Sequence, residues 1–225
     1  MKPEKPTSLQ PENASFEELE FQGVYGSYRI TQADHLEVQR YRVALLVCGI
    51  AFCGGIAHWL LIGPVAAWLW LIPIAISLGF ALKWIHIYLR PLHKALQILW
   101  ALGCVGIGIL VITLGSQNLL SSLASSPIWT VAIGPLFAAL TGLGFKEFFC
   151  FQRLEAIGLT LLIPIALIGH LTRLLNGEVV MILLSISALL LLVLAIRKFG
   201  MNAADDVGDK SVFDYLDRQE ATESL

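Results

Sequence analysis

The sequence predicts an all-α fold: a polytopic transmembrane helix bundle of six spans, with both termini on the cytoplasmic side. Three observations carry that prediction. Charged residues make up 14% of the 225-residue chain and apolar residues 56%, with a mean hydropathy of +0.73. Globular proteins carry about 25% charged residues, and a soluble chain of this size needs more polar surface than this one has. Six apolar runs meet or approach the roughly 20 residues that cross a hydrocarbon core about 30 Å thick. Basic residues fall almost wholly on one side of those runs.

Taken in order, the spans are Val43–Ile62, Val65–Lys83, Ala95–Gly115, Ile128–Gly144, Ala156–Leu174 and Val179–Ile196. Each must be helical, because backbone polar groups in hydrocarbon need internal partners. The second and fourth are short, and the fifth contains Pro164 and His170. Residues 1–20 are rich in Pro, Glu and Ser and are expected to form a disordered polar tail. Their mixed-charge start (Lys2, Glu4, Lys5) is not that of a cleavable signal peptide. Residues 21–42 form a juxtamembrane segment, 43–196 the transmembrane domain and 197–225 an acidic tail, the first and last on the cytoplasmic side. Val24–Ile30 reads as extended, and Thr31 with Asp34 makes a capping box from which a helix runs into the first span. Ser211 and Asp214 make a second box beside Phe213, Tyr215 and Leu216, either a short docking helix or a frayed end.

With the N-terminus inside, fourteen of the fifteen Lys and Arg residues lie on inner segments and only Arg173 lies outside. That split orients the bundle and supports an even number of spans. Trp59, Trp68, Trp70 and Trp129 fall near outer ends and Trp84 and Trp100 near inner ends, as headgroup-depth belts do.

Several classes of function drop out. A net charge of −2 gives no case for nucleic-acid binding. The four cysteines (Cys48, Cys53, Cys104, Cys150) make no CxxC or zinc spacing. No span holds Asp, Glu, Lys or Arg at its centre, and no HExxH or GxSxG occurs. The chain therefore reads as a non-enzyme with no catalytic or metal site and with no cofactor assigned. His58, His86 and His170 are the candidates for ligating haem iron or a chlorophyll magnesium. The alternative is a hydrogen bond to a neighbouring carbonyl, and no paired-histidine spacing supports ligation.

Outer connections are short, so partners are expected on the inner face. In Lys83–Lys94, helical spacing puts Lys83, His86, Arg90, His93 and Lys94 on one side, a basic ramp for anionic headgroups with Pro91 a candidate break. In Phe145–Glu155, four phenylalanines alternate with Lys146, Glu147, Arg153 and Glu155 in an interfacial turn. Those four charged residues, with Phe213, Tyr215 and Leu216, are the candidate partner interface. Pro73 and Pro164 are helix-break candidates, lying in Leu71–Ala75 and Leu162–Ala166, which share one five-residue sequence. A three-plus-three inverted repeat would explain that; the recurrence of Ile62–Pro64 as Ile133–Pro135 at another offset favours chance. Rows of small residues (Gly49, Cys53 and Ala57; Ala51 and Gly55; Cys104 and Gly108; Gly134, Ala138 and Gly142) are expected to pack helices closely.

Phe21–Thr31, leading through Glu37–Val38 and Tyr41–Arg42 into the first span, and Gly144–Glu155 together resemble a family of uncharacterised integral membrane proteins of cyanobacteria and plastids. The resemblance implies a photosynthetic context and a thylakoid or plasma membrane location, and assigns chemistry to no residue. In that context the first expectation is a non-catalytic accessory, assembly or scaffold protein, with membrane lipid and subunits of a photosynthetic complex as partners. A small-solute or ion channel or carrier is the alternative, and pigment or haem binding a further one.

Overall fold

The computed structural model describes residues 20–212, 215, 216 and 218. The expectation for the first nineteen residues, and Phe213 and Asp214, lie outside the described residues. Strands β1 (Glu20–Gly23) and β2 (Gly26–Arg29) pair antiparallel, with Glu20 opposite Arg29. Helix α1 (Gln32–Leu61) follows, then a 3-10 turn (Ala67–Trp70), α2 (Leu71–Trp84) and α3 (Arg90–Leu114). A short α4 (Leu119–Ser125) and a second 3-10 turn (Pro127–Trp129) lead to α5 (Thr130–Phe151), α6 (Leu154–Leu171), α7 (Gly177–Lys198) and the short α8 (Ala203–Val207). Among the described residues six helical stretches are long and apolar enough to cross a membrane, at the six places expected from the sequence.

Local chemistry accounts for the helix ends. Thr31 Oγ1 accepts the Asp34 N–H at 3.3 Å while the Asp34 carboxylate accepts the Thr31 N–H at 2.7 Å, so the expected capping box starts α1. At 30 residues α1 is longer than a span requires; its first turns carry Asp34, Glu37 and Arg40. Asn176 caps α7 by accepting the Val179 N–H at 2.9 Å. Pro91 sits in the first turn of α3, where a missing N–H costs nothing.

Three expectations are corrected here. Lys83–Lys94 is not one amphipathic helix: the chain leaves α2 at Trp84, buries Ile85 and Ile87, and re-enters helix at Arg90. Its basic residues therefore share no single face. Pro73 and Pro164 do not break their helices. Pro73 is the third residue of α2, just after the 3-10 turn, and Pro164 is carried inside an α6 that continues to Leu171. The Ser77 hydroxyl donates to the Pro73 carbonyl at 2.6 Å. At Pro73 no helical bond is lost, because first-turn N–H groups have no intrahelical acceptor, and at Pro164 one lost bond is tolerated where packed neighbours hold the helix. Finally, the outer connection after the third span is more than a short link, since Leu119–Ser125 within it folds into α4.

The spans close into a ring, each helix packed on the next: α1 on α2, α2 on α3, α3 on α5, α5 on α6, α6 on α7, and α7 back on α1. Its interior is filled by Leu45, Leu78, Leu136, Leu140, Leu159 and Leu191, all fully buried. The outer faces expose Ile50, Ile76, Ile109, Leu161 and Val193, a surface suited to lipid rather than water.

Close helix approach uses part of the expected rows, Gly49 against α7 and Gly142 against Leu96 of α3, together with glycines outside them. In α3 the face turned to α5 carries Gly103 and Gly106: a Cβ on Gly103 would collide with the Leu136 backbone, and one on Gly106 with the Ala132 carbonyl. Gly108 and Gly134 face open space. Gly49 does meet α7, at the Leu192 backbone. Gly106→Ala is expected to lower stability by about 1–3 kcal/mol through overpacking, whereas Gly108→Ala should leave it unchanged or raise it by up to about 1 kcal/mol, because Ala favours helix over Gly. Melting of both variants in one detergent checks this.

Candidate functional site

The end of the bundle where α1 begins and α7 finishes holds a buried network of charges. Its members come from four helices: Tyr41 and Arg42 of α1, Lys146 and Glu147 of α5, Lys198 of α7 and Asp206 of α8. The Lys198 ammonium donates to Glu147 Oε2 at 2.8 Å and also to Asp206 Oδ1. Arg42 donates through two nitrogens to Asp206 Oδ2 at 2.8 and 2.6 Å, and to the Asn202 carbonyl at 3.1 Å. The Tyr41 hydroxyl donates to Glu147 Oε1 at 2.6 Å, with Lys146 Nζ 3.4 Å from the same oxygen.

Three cations thus face two anions, and aromatic rings take up part of the excess. Lys198 Nζ lies 4.0 Å and Lys146 Nζ 5.0 Å from the Phe151 ring centroid, within the range of cation–π attraction. Lys198 and Glu147 are 1% and 0% exposed. Beside them, Arg197 of α7 donates to Glu155 of α6 at 3.0 Å. The expected interfacial turn over Phe145–Glu155 is corrected: α5 continues to Phe151, and the reversal is confined to Gln152, left-handed at φ 51°, and Arg153. Lys146 and Glu147 are buried rather than offered to a partner, while Arg153 is half-buried.

The terminal segments fold over this end as a cap. The Val24 N–H, at the hairpin turn, donates to Asp209 Oδ2 at 2.7 Å, and the Tyr25 N–H to Ser211 Oγ at 3.0 Å. Tyr25 stacks on Tyr215 at 4.0 Å between centroids. Lys210 binds the Asp34 carboxylate at 2.9 Å, and the Tyr88 hydroxyl donates to the Val207 carbonyl at 3.1 Å. Ile30, Val38 and Val207 form a small apolar core beneath. Tyr215 is thus engaged within the chain, and Leu216 is half-buried. Burial alone would raise the Asp209 carboxyl, but the Ser211 hydroxyl and the backbone N–H groups of Val24 and Ser211 outweigh it and hold the group below its usual range.

The three candidate histidines do not converge. His58 and His170 lie in the last turns of α1 and α6, at the end away from the termini; His86 lies at the capped end. His58 Nδ1 accepts the Trp70 indole N–H at 3.3 Å, and His170 Nε2 faces the Leu123 carbonyl at 2.9 Å. His86 Nε2 lies 3.5 Å from Glu37 Oε2, yet burial holds its imidazole below the ordinary histidine range. Asp34, Glu37 and His86 bring three ligand-type atoms within 4.8 Å of one another. Asp34 is already bonded by Thr31 and Lys210, so the group serves as a tie between α1 and the tail.

A second feature lies at the opposite end: a cavity of about 790 Å³ walled by α1, the start of α2, α4, α5, α6 and α7. Sequence reasoning missed it, and it missed Tyr41, Arg42, Lys198 and Asp206 as site residues. The basic ones were legible only as flanking charges. Their partners lie up to 164 positions away, and no local pattern announces such pairs.

A family model described as an uncharacterised integral membrane protein (DUF2301) matches residues 80–215, more than half of the chain, and the chain belongs to that family. No curated protein and no solved structure matches it.

Two outcomes follow from the geometry. Lys198→Met leaves Glu147 and Asp206 buried without their shared cation and should cost about 3–5 kcal/mol, whereas Arg153→Ala should cost less than about 1 kcal/mol. Melting in detergent separates them. Because its native pKa is depressed, Asp209 strengthens the cap above its unfolded pKa near 3.8, and that contribution is lost as pH falls through the native value. Hydrogen exchange at the Val24 amide, corrected for its intrinsic rate, should show protection at neutral pH that disappears in acid and in Asp209→Ala.

Proposed function

We propose that this DUF2301-family membrane protein is a non-catalytic accessory protein of a photosynthetic membrane, with its termini on the cytoplasmic side and its cap as the face that meets other subunits. The observation that carries this reading is the buried network itself. Both of its carboxylates are held by cations, so it offers no group poised to exchange a proton with a substrate. Its physical effect is to fix the cap to the bundle, which is what a docking platform requires. The hairpin tip presents Val24, 80% exposed, beside the stacked Tyr25 and Tyr215. The orientation rests on the fourteen-to-one division of basic residues, and the photosynthetic context on the resemblance of Phe21–Thr31 and Gly144–Glu155.

Affinity purification of the tagged protein in mild detergent tests this. Photosynthetic subunits at near-stoichiometric yield, lost when the hairpin tip is changed by Val24→Asp, are the expected result. A preparation free of such subunits sinks the proposal.

One observation favours a carrier as the second reading. The cavity lies at one end of the bundle, while buried leucines fill the interior beyond it and the charge network occupies the other end, a one-sided vestibule. Flux of small solutes into proteoliposomes, raised by Asp206→Asn, would move the assignment there. Pigment or haem binding has less support, because ligation through His170 Nε2 would displace its bond to Leu123; visible absorbance of the purified protein would revive it.

A further inference from the structure

The cavity at the end away from the termini has the features of a built binding site. Its volume of about 790 Å³ falls within the roughly 300–1,000 Å³ usual for small-molecule pockets. Phe52, Trp59, Trp70, Phe137 and Met181 supply an apolar wall, and among the described residues neither Lys nor Arg lines it. Glu178, exposed at the first turn of α7, stands at its rim.

One polar group inside is unspent. Thr130 lines the cavity, is 3% exposed, and its Oγ1 has no hydrogen-bond partner. The other threonines among the described residues are all bonded: Thr31 to Asp34, and Thr113, Thr141, Thr160 and Thr172 to carbonyls four residues back in their own helices. Thr130 differs because it opens α5 directly after the 3-10 turn Pro127–Trp129. The residue four back, Ser126, precedes that turn and is extended, and its carbonyl accepts the Trp129 N–H at 3.2 Å. The hydroxyl is thus buried without its usual partner, and buried polar groups are normally bonded. His170 lines the same cavity, its ring held by the Leu123 carbonyl.

We propose that this cavity binds a neutral, membrane-resident molecule: an apolar chain or ring system bearing one hydroxyl or carbonyl that pairs with Thr130. The apolar wall selects the body of the ligand and Thr130 orients its polar end. The absence of a lining cation, with a carboxylate at the rim, disfavours an anionic head. The inference is independent of what the cap docks, so neither result decides the other.

The test uses the full-length protein in detergent with retinol as a neutral probe and retinoic acid as its anionic counterpart. Binding is read by energy transfer from the tryptophans to the probe. Retinol should bind saturably and more tightly than retinoic acid. Thr130→Val, nearly isosteric, should weaken retinol roughly tenfold, about the worth of one buried hydrogen bond, with melting little changed. Ser185→Phe, which fills the cavity from α7, should abolish saturable binding; mass spectrometry of the wild type in its native state should show a small-molecule adduct that this variant lacks. The proposal is overturned if the folded wild type binds no retinol saturably, or if retinoic acid binds as tightly. It is equally overturned if Thr130→Val binds retinol like the wild type, or if folded Ser185→Phe still binds, which would place the probe in detergent or on the lipid-facing surface.

Discussion

Removing an ion from water costs several kcal/mol even after the protein relaxes around it, and Lys198, Glu147, Asp206, Arg42 and Lys146 are all buried at one end of this bundle. They can be there only because each lies against a partner. Lys198 stands between Glu147 of α5 and Asp206 of α8, and Arg42 of α1 closes on the far side of Asp206. The requirement that these charges meet therefore ties α1, α5, α7 and α8 to one arrangement. Apolar packing discriminates less well, since a leucine facing lipid is nearly as well solvated as one facing another helix. In the interior of the ring leucines fill space; at its end, directional bonds set which helices must be neighbours.

The cap inherits its position from that network. Asp206 anchors α8, and the chain beyond it supplies Asp209 and Ser211 to the hairpin turn and Lys210 to Asp34 at the start of α1. The hairpin has only two strands and would be marginal alone. It gains order by using side chains of the C-terminal segment to satisfy its turn amides. The opposite end is built differently, with an apolar cavity and the buried, unbonded hydroxyl of Thr130. The two ends thus suit different tasks: one is rigid and polar, the other can admit an apolar guest.

What was legible beforehand was what local chemistry dictates. The capping box needs only Thr31 and Asp34 three residues apart, and the structure forms it. The six spans need only enough consecutive apolar residues. Readings that depended on a face or a break fared worse. Gly103 and Gly106, not Cys104 and Gly108, are the contact glycines of α3, because the buried side of a helix that is apolar all round is set by its neighbour. Pro73 leaves its helix intact because it sits in the first turn, whose N–H groups have no intrahelical acceptor, and Pro164 because one missing N–H is a small loss in a packed bundle. Lys146 and Glu147 look like surface charges beside phenylalanines until α7 brings Lys198 to them.

The sequence by itself determined the number and placement of the spans, since hydrocarbon thickness sets the length of each apolar run. The tertiary structure decided which charges are partners, which glycines bear on a neighbouring backbone, and that Thr130, its hydroxyl unbonded, is among the residues lining a cavity. Those outcomes depend on residues far apart in the chain: Tyr41 finds Glu147 across 106 positions and Arg42 finds Asp206 across 164. Spacing along the chain encodes such meetings only through the way six helices pack.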